Sequence, residues 1–210
     1  MASSTTLSEP IRVAIASEND EYDAEIYRAL LRLVLGRPVI RWNPGDKRFS
    51  GWKSIATQAD LFLRAAEADG VAYALFAVDN DGGARRRLDH QPDHVVLEHA
   101  ADEDAGCRYC WLLSAVPPWW RTPGRFQCLT IPVQTLETWL LHVGGYAFSS
   151  PTPEQTYDRA AIKKLLFGKP LPPLVDRTAR ALARLDQPGA LERLRELSSF
   201  RRFEAELAGW

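Results

Sequence analysis

The sequence predicts an α/β protein with a mainly parallel, four-stranded sheet, flanking helices and a helical C-terminal part. Three observations support this fold class. Apolar, β-branched runs alternate with helical periodicity over residues 11–78. These runs are apolar on both faces, which is typical of parallel strands that helices cover on both sides. Beyond residue 151 the pattern is almost entirely helical.

The predicted elements of the first half alternate regularly. In order they are a strand at 11–17, a helix from Asn19 or Asp20 to Gly36, a strand at 38–42, a helix at 54–68 and a strand at 71–78. Gly36 is the expected end of the first helix, since glycine ends helices readily and Pro38 lies just beyond it. Strands joined through helices are expected to pair in parallel.

The second half contains one further strand and several helices. Periodicity is lost from 82 to 125, after which "RFQCLTIPV" at 125–133 predicts the fourth strand and "TLETWLLHV" at 135–143 a short helix. More helices are expected at about 158–167, 174–185, 189–197 and 199–208. We therefore expect an α/β core at 11–145 with a Cys-, His- and Trp-rich insertion at about 84–124. A helical C-terminal extension at 151–210 is expected to pack on that core.

The composition is that of an ordinary globular protein. The 210 residues are 46% apolar and 25% charged, with a net charge of −1, so any surface for nucleic acid must be local. No apolar run reaches the roughly 18 residues that a membrane span needs. "MASSTTLSEP" lacks the features of a secretory signal, and three cysteines do not indicate a disulfide framework. We expect a cytoplasmic protein with no membrane partner.

Acidic residues follow three of the four predicted strands. Glu18 comes directly after the first strand, Asp79 and Asp81 follow the third, and Glu137 lies in the first turn of the helix after the fourth. In an open α/β sheet, ligands bind at the carboxyl ends of the strands, where loops and helix N-termini converge. We therefore expect these four carboxylates to lie along one edge of the sheet.

Several carboxylates at one edge favour a metal site. They repel one another, and a bound cation commonly neutralises them; hard oxygen ligands suit Mg²⁺ or Mn²⁺. The i, i+2 spacing lets Asp79 and Asp81 reach one ion, and Gly82 and Gly83 let the backbone turn away. Taken singly, each acid has a plainer explanation as a turn residue, a loop residue or a partner of a helix dipole. The joint arrangement is what favours a site.

These motifs resemble the Toprim domain of topoisomerases, primases, recombination proteins and nucleases of the OLD type. The resemblance is closest to small stand-alone bacterial Toprim-like proteins of uncharacterised function, several of them near phage-defence genes. It rests on the acid after the first strand, "DND" at 79–81, "PVQTLETWLL" at 132–141, "AIKKLLFG" at 161–168 and "SSFRRFEAEL" at 198–207. One departure is that Asn19 follows Glu18, where the family has a glycine beside the glutamate.

The resemblance implies Mg²⁺- or Mn²⁺-dependent phosphoryl transfer on nucleic acid, with a nuclease in bacterial phage defence as the favoured activity. Glu18 would be the Toprim glutamate, acting as a metal ligand or as a base that positions water, and Asp79 and Asp81 would bind the metal. Glu137 would lie at the rim of this catalytic site. Lys163 or Lys164 would neutralise developing charge, although an exposed helix face is the simpler explanation for a lysine pair.

Basic residues near the acids are candidates for binding nucleic acid. Arg85, Arg86 and Arg87 follow Gly83 closely, and Arg121 lies later in the insertion. Arginine side chains beside a metal site are what a phosphate backbone needs. An ordinary loop of mixed charge explains the same residues equally well.

The insertion also contains half of a possible zinc site. Cys107 and Cys110 form a Cys-x-x-Cys pair, which His94 and His99 would complete. A structural Zn²⁺ would explain how a long aperiodic segment keeps its shape. The alternative is that the cysteines are unrelated and two of them pack against neighbouring aromatic residues.

Two other function classes compete with the nuclease. One is a catalytically silent Toprim-like scaffold that binds a partner protein, an ATPase or another defence subunit, through its tryptophan-rich insertion or its apolar C-terminal edge. The other is a different α/β enzyme of the receiver or phosphatase kind, although no acid has the flanking pattern of those nucleophiles. A Walker-type lysine loop and a GxGxxG motif are both absent from the sequence.

Overall fold

The computed structural model describes residues 9–45, 49–79, 108–132, 135–146 and 159–210, with the side chains of 109–111 and 159 left aside. The strands are β1 Ile11–Ser17, β2 Val39–Trp42, β3 Tyr73–Ala77 and β4 Phe126–Thr130. The helices are α1 Asp23–Leu35, α2 Gly51–Ala68, α3 Arg108–Ala115, α4 Leu136–Val143, α5 Arg159–Phe167, α6 Leu174–Leu185, α7 Ala190–Leu194 and α8 Ser198–Glu206, with a 3₁₀ turn at Pro118–Trp120.

The sheet is parallel throughout and has the strand order β2-β1-β3-β4. Its centre is the pair β1 and β3, in which Ile15 is aligned with Leu75 and Ser17 with Ala77. The predicted fold class is therefore confirmed: a four-stranded parallel sheet with flanking helices and a helical C-terminal part, consistent with a Rossmann-like fold.

Helices cover the two faces of the sheet in the arrangement that right-handed crossovers require. The chain moves from β1 to β2 in one direction along the sheet and returns from β2 to β3 and on to β4 in the other. Accordingly α1 packs on one face, whereas α2 and α3 pack on the opposite face. The alternating residues of β1 divide between the two cores, with Val13 and Ile15 on the α1 face and Ala14 and Ala16 on the α2 face.

The C-terminal helices enlarge the core on the α1 face. Apolar residues from α5 to α8 join α1 and α4 there in one buried cluster. Its centre is aromatic: the Trp139 ring has T-shaped contacts with Tyr27 and Phe200, with ring centroids 6.3 and 5.2 Å apart. Among the described helices, none combines the length and apolar character that a membrane span requires.

The sequence predicts that helix α1 begins at Asn19 or Asp20. In the structure it begins at Asp23. Asn19 forms a turn instead, because its side-chain Oδ1 accepts the N–H groups of Glu21 and Tyr22 at 3.2 Å each. The Asp23 carboxylate in turn accepts the N–H of Asn19 at 2.9 Å. This reciprocal arrangement delays the helix by one turn and brings the Asp23 side chain back toward the end of β1.

The segment predicted to lack periodicity contains helix α3 and the following 3₁₀ turn. Leu112, Val116 and Trp120 are spaced four residues apart, and all three are buried against the α2 face. That spacing is helical, but Pro117 and Pro118 interrupt it, so only a short helix forms before the turn.

Candidate functional site

The candidate site lies where the connections of the sheet change direction. Strands β1 and β3 are neighbours, and the chain leaves β1 toward one side of the sheet and β3 toward the other. In open α/β sheets this reversal opens a crevice at the carboxyl ends of the two strands, where ligands bind. Glu18 directly follows β1 and Asp79 follows β3 by two residues, so both predicted acids lie at this crevice.

Glu18 and Asp79 are joined by a hydrogen bond. The backbone N–H of Asp79 donates to Glu18 Oε1 at 3.1 Å. Asp79 Oδ1 accepts the backbone N–H of Leu136, the first residue of α4, at 3.0 Å. Asp79 is only 8% exposed, so this carboxylate ties the end of β3 to the start of α4 inside the protein. The ends of β1, β3 and the β4–α4 connection therefore meet, as the sequence predicted.

Arg108 is a member of the site that the sequence did not predict. It is the first residue of α3, and its Nη1 lies 3.4 Å from Glu18 Oε1 and donates to the backbone carbonyl of Asp79. The side chain is 5% exposed, and its guanidinium carbon lies 5.2 Å from the centre of the Trp52 ring. A buried positive charge therefore bridges the two strand ends. The sequence signal was an arginine at the start of a helical spacing.

Asp23 is a second unexpected member. Burial, together with the negative charges of Glu137 and Glu18, raises its pKa from 3.8 to about 7, against the lowering effects of the Asn19 N–H and Lys163. Asp23 therefore lies close enough to two predicted site residues, Glu137 and Glu18, for their charges to change its pKa. The available signal was an aspartate in the first turn of the helix that follows β1. The sequence places the helix start at Asn19 or Asp20, so Asp23 was not predicted to lie at the end of β1.

Glu137 and Lys163 form a partly buried ion pair in this region. Lys163 Nζ lies 3.4 Å from Glu137 Oε1, and the two side chains are 24% and 3% exposed. The structure thus brings both predicted residues to the carboxyl ends of the strands, near Glu18, Asp23 and Asp79. We call this region, with Glu137, the acidic edge. Lys164, the neighbouring candidate, is exposed on α5.

Buried hydroxyl groups accompany the acids. Burial raises the pKa of Tyr22, and the charges of Glu137, Asp23 and Asp79 raise it further. Among the described residues, no hydrogen-bond partner is found for the hydroxyl groups of Tyr22, Thr135 and Thr138, the last two at the start of α4. The edge therefore combines a surplus of negative charge with buried hydroxyl donors.

Arg121 is not brought to the site. Its Nη2 donates to the carbonyl of Val116 at 2.9 Å and to that of Leu113, so it closes the C-terminal end of α3. Strand β4 begins only five residues later, at the amino edge of the sheet, opposite the acids. This position suits a structural role for the side chain.

Several predicted residues lie outside the described part of the chain. They are Asp81, Gly82, Gly83, Arg85, Arg86, Arg87, His94, His99 and Cys107, and the side chain of Cys110 is likewise not described. The zinc site, the second metal-binding aspartate and the arginine run therefore stay predictions. Cys128 on β4 is buried, and burial raises the pKa of its thiol.

The described side chains at this edge have the right chemistry to bind a divalent metal, but there are too few of them to form a metal site. Glu18 and Asp79 supply the carboxylate oxygens that Mg²⁺ prefers. Within the described ranges, however, no three His, Cys, Asp or Glu side chains are grouped as a metal site. A magnesium centre at this edge therefore depends on a further ligand, and Asp81 is the one that the sequence predicts.

No family model, curated protein or solved structure matches the chain. The resemblance to the Toprim domain accordingly stays a prediction from short motifs. The site has to be interpreted from its own geometry and charge.

Proposed function

We propose that the chain is a Mg²⁺- or Mn²⁺-dependent phosphoryl-transfer enzyme that hydrolyses phosphodiester bonds of nucleic acid. One observation carries this proposal. Glu18 and Asp79 meet at the carboxyl ends of β1 and β3, where the connections of the sheet change direction, and the Asp79 N–H donates a hydrogen bond to Glu18 Oε1. Asp79 is buried and the Glu18 side chain is only 15% exposed. Two such carboxylates at the ligand-binding edge of a parallel sheet are unusual unless they serve a ligand or a structural cation.

Glu18, Asp79 and Asp81 would hold the metal in this proposal. When bound, the ion would polarise the scissile phosphate and stabilise the leaving oxygen. The hydrogen bonds already described limit the motion of the two described ligands: Leu136 N–H orients the Asp79 carboxylate, and Asp79 N–H orients Glu18. Such preorganisation lowers the cost of assembling a charged site.

The other residues of the acidic edge would accept protons or balance negative charge. Asp23, with its pKa of about 7, is suited to accept a proton from water near neutral pH. Lys163 pairs with Glu137 within the buried edge and offsets part of the negative charge there. A nucleic-acid substrate and a role in phage defence are supported by the Toprim resemblance alone. A cytoplasmic location is supported by the three cysteines, which do not indicate a disulfide framework.

A cleavage assay with paired variants tests the proposal. We expect the wild-type chain to cleave members of a panel of DNA and RNA substrates with Mg²⁺ or Mn²⁺ but not with EDTA. Asp79→Asn and Asp81→Asn should abolish cleavage, and Glu192→Gln, an exposed acid on α7, should leave it unchanged. Cleavage that survives both aspartate variants would exclude this function for the edge.

A catalytically silent scaffold is the second candidate, and Arg108 favours it. Its guanidinium already supplies a positive charge between Glu18 and the Asp79 carbonyl, as a structural cation would. In that case the partner would be an ATPase or another defence subunit. Absence of Mn²⁺ binding by calorimetry, together with a stable co-purifying partner, would favour the scaffold over the enzyme.

A further inference from the structure

Trp52 lies in the first turn of α2, beside the crevice that contains Glu18. Ser50, the residue before α2, forms an isolated antiparallel bridge with Asn19, which follows Glu18 in the chain. The guanidinium carbon of Arg108 lies 5.2 Å from the centre of the Trp52 ring, and Nη1 of the same arginine lies 3.4 Å from Glu18 Oε1. One guanidinium group therefore connects the Trp52 ring with the acidic edge.

Trp52 is only half-buried, in contrast to the arginine that it contacts. The Arg108 side chain is 5% exposed, whereas part of the indole stays accessible where α2 begins. Lys53, the next residue, is exposed, and its Nζ lies 5.5 Å from the centre of the Trp52 ring. This end of the crevice therefore presents an aromatic ring with a positive charge beside it.

An aromatic ring beside a positive charge suits a ligand that has a flat, ring-shaped part and a negative charge. Planar rings stack on the face of an indole, and every nucleobase offers such a face. A lysine ammonium binds phosphate as a point charge. A nucleotide combines a planar base with a phosphate, so the residues around Trp52 favour a nucleotide at this end of the crevice.

Stacking on the ring limits the form of the substrate. Inside a double helix both faces of a base are covered by its neighbours, so only an unpaired and unstacked base can lie on the Trp52 ring. Aromatic side chains bind single strands in this way, together with basic residues along the backbone. Because the ring contacts Arg108 and Arg108 contacts Glu18, a base on this ring brings its phosphodiester close to the acidic edge.

We propose that Trp52 stacks on an unpaired base of single-stranded nucleic acid and so positions the adjacent phosphodiester at the acidic edge. This inference rests on the proposed function and narrows its substrate to single strands and unpaired ends. Trp52 is then a substrate-binding residue, and Lys53 contacts the phosphate backbone beside it. The ring also contacts the buried Arg108, so the test has to separate stacking on a base from this structural role.

Trp119 is the matched control. It is also half-buried and lies near two positive charges, with the guanidinium carbons of Arg64 and Arg125 5.1 and 5.3 Å from its ring centre. Arg125 directly precedes β4, so this tryptophan lies near the amino edge of the sheet, away from the acidic edge. Its substitution tests whether any half-buried tryptophan beside cations binds nucleic acid.

Binding of three probes measures the contact. Fluorescence anisotropy would follow a labelled single-stranded oligonucleotide, the same strand with abasic sites in place of its bases, and the corresponding duplex. Each titration is done in EDTA and in Ca²⁺, a hard cation that carboxylate oxygens bind. Trp52→Leu removes the aromatic ring but keeps an apolar side chain, Trp52→Phe keeps a ring, and Trp119→Leu is the control. Thermal unfolding of each variant verifies that it folds.

We expect the wild type to bind the single strand more tightly than the abasic strand and the duplex. Trp52→Leu should lose at least about fivefold in affinity for the single strand and less than about twofold for the abasic strand, since stacking needs a base. Trp52→Phe should retain most of the affinity, and Trp119→Leu all of it. Equal losses on the base-containing and abasic strands, no loss in Trp52→Leu, or no binding of any probe would overturn the inference.

Cleavage assays separate this inference from the proposed function. Cleavage in Mg²⁺ or Mn²⁺, together with unchanged binding by Trp52→Leu, would overturn the role of Trp52 alone. Binding that depends on Trp52, without cleavage by the wild type, would overturn the proposed hydrolysis alone.

Discussion

Glu18 Oε1 accepts the backbone N–H of Asp79 at 3.1 Å, and this contact joins the ends of the two central strands. The residues are 61 positions apart in the chain, yet the strand order places them side by side. Because the contact uses the backbone of Asp79, the Asp79 carboxylate can bond to Leu136 at the same time. The acidic edge is therefore part of the protein's architecture as well as a candidate site.

Two substitutions of Asp79 should separate its structural role from its charge. Asparagine keeps an oxygen that can accept the Leu136 N–H, whereas alanine leaves that N–H at the start of α4 without its partner. We expect Asp79→Ala to lower the free energy of unfolding by about 1–2 kcal/mol and Asp79→Asn by clearly less. Urea denaturation measures both. Equal losses for the two variants would show that the hydrogen bond is not the stabilising feature.

Removal of Arg108 should make the acidic edge depend on an external cation. Arg108→Gln removes a buried guanidinium that contacts Glu18, and we expect a loss of about 1–3 kcal/mol in the free energy of unfolding. Added Mg²⁺ should then raise the melting temperature of the variant more than that of the wild type. Arg64→Gln, at an exposed pair with Asp60, is the control and should respond to Mg²⁺ as the wild type does. An equal Mg²⁺ response in all three proteins would contradict this account of Arg108.

The raised pKa of Asp23 predicts a pH dependence of stability. With a pKa of about 7 in the folded protein and an ordinary value of 3.8, the folded state binds more protons between these values. The contribution of Asp23 to stability is thus complete below about pH 4 and is lost as the pH rises to about 7. The slope is at most about 1.4 kcal/mol per pH unit.

Asp23→Asn should remove this dependence, since asparagine is neutral and still offers an acceptor to Asn19 N–H. Urea unfolding of both proteins between pH 5 and 7 provides the comparison. We expect the wild type to lose stability relative to the variant across this range. Parallel curves would mean that Asp23 titrates below pH 5.

Neighbouring lysines should differ in their structural effect. Lys163→Gln leaves the buried Glu137 carboxylate without its ion-pair partner, and we expect a loss of about 1–3 kcal/mol in the free energy of unfolding. Lys164→Gln, one residue further on the exposed side of α5, should change stability by less than about 0.5 kcal/mol. Thermal or urea unfolding checks both. A loss in Lys164→Gln as large as that in Lys163→Gln would show that helix propensity dominates over the ion pair.

The fold could be predicted because its signals are local. The strands of this sheet are mostly apolar runs, and glycines such as Gly36 and Gly70 close the helices between them. Helix α3 was not predicted because it is only eight residues long and prolines follow it closely. The start of α1 was misplaced because the Asn19 side chain competes with the helix for backbone N–H groups.

The candidate site could be predicted only as far as strand ends determine it. Glu18, Asp79 and Glu137 follow from the topology rule for parallel sheets, and the structure brings all three to one edge. Arg108 could not be found in this way, because its role depends on how α3 returns across the sheet. Asp23 likewise acquires its raised pKa chiefly from burial in the folded protein and from Glu137, which is distant in the sequence.

Mn²⁺ binding tests the central claim most directly, because it reports on the acidic edge whatever the substrate is. Titration of the wild type, Glu18→Gln, Asp81→Asn and the surface control Glu192→Gln would be followed by the electron paramagnetic resonance of free Mn²⁺. The account predicts that the wild type and Glu192→Gln bind Mn²⁺ alike, and that Glu18→Gln and Asp81→Asn each lose at least about tenfold in affinity. Absence of binding in the wild type, or equal affinity in all four proteins, would contradict it.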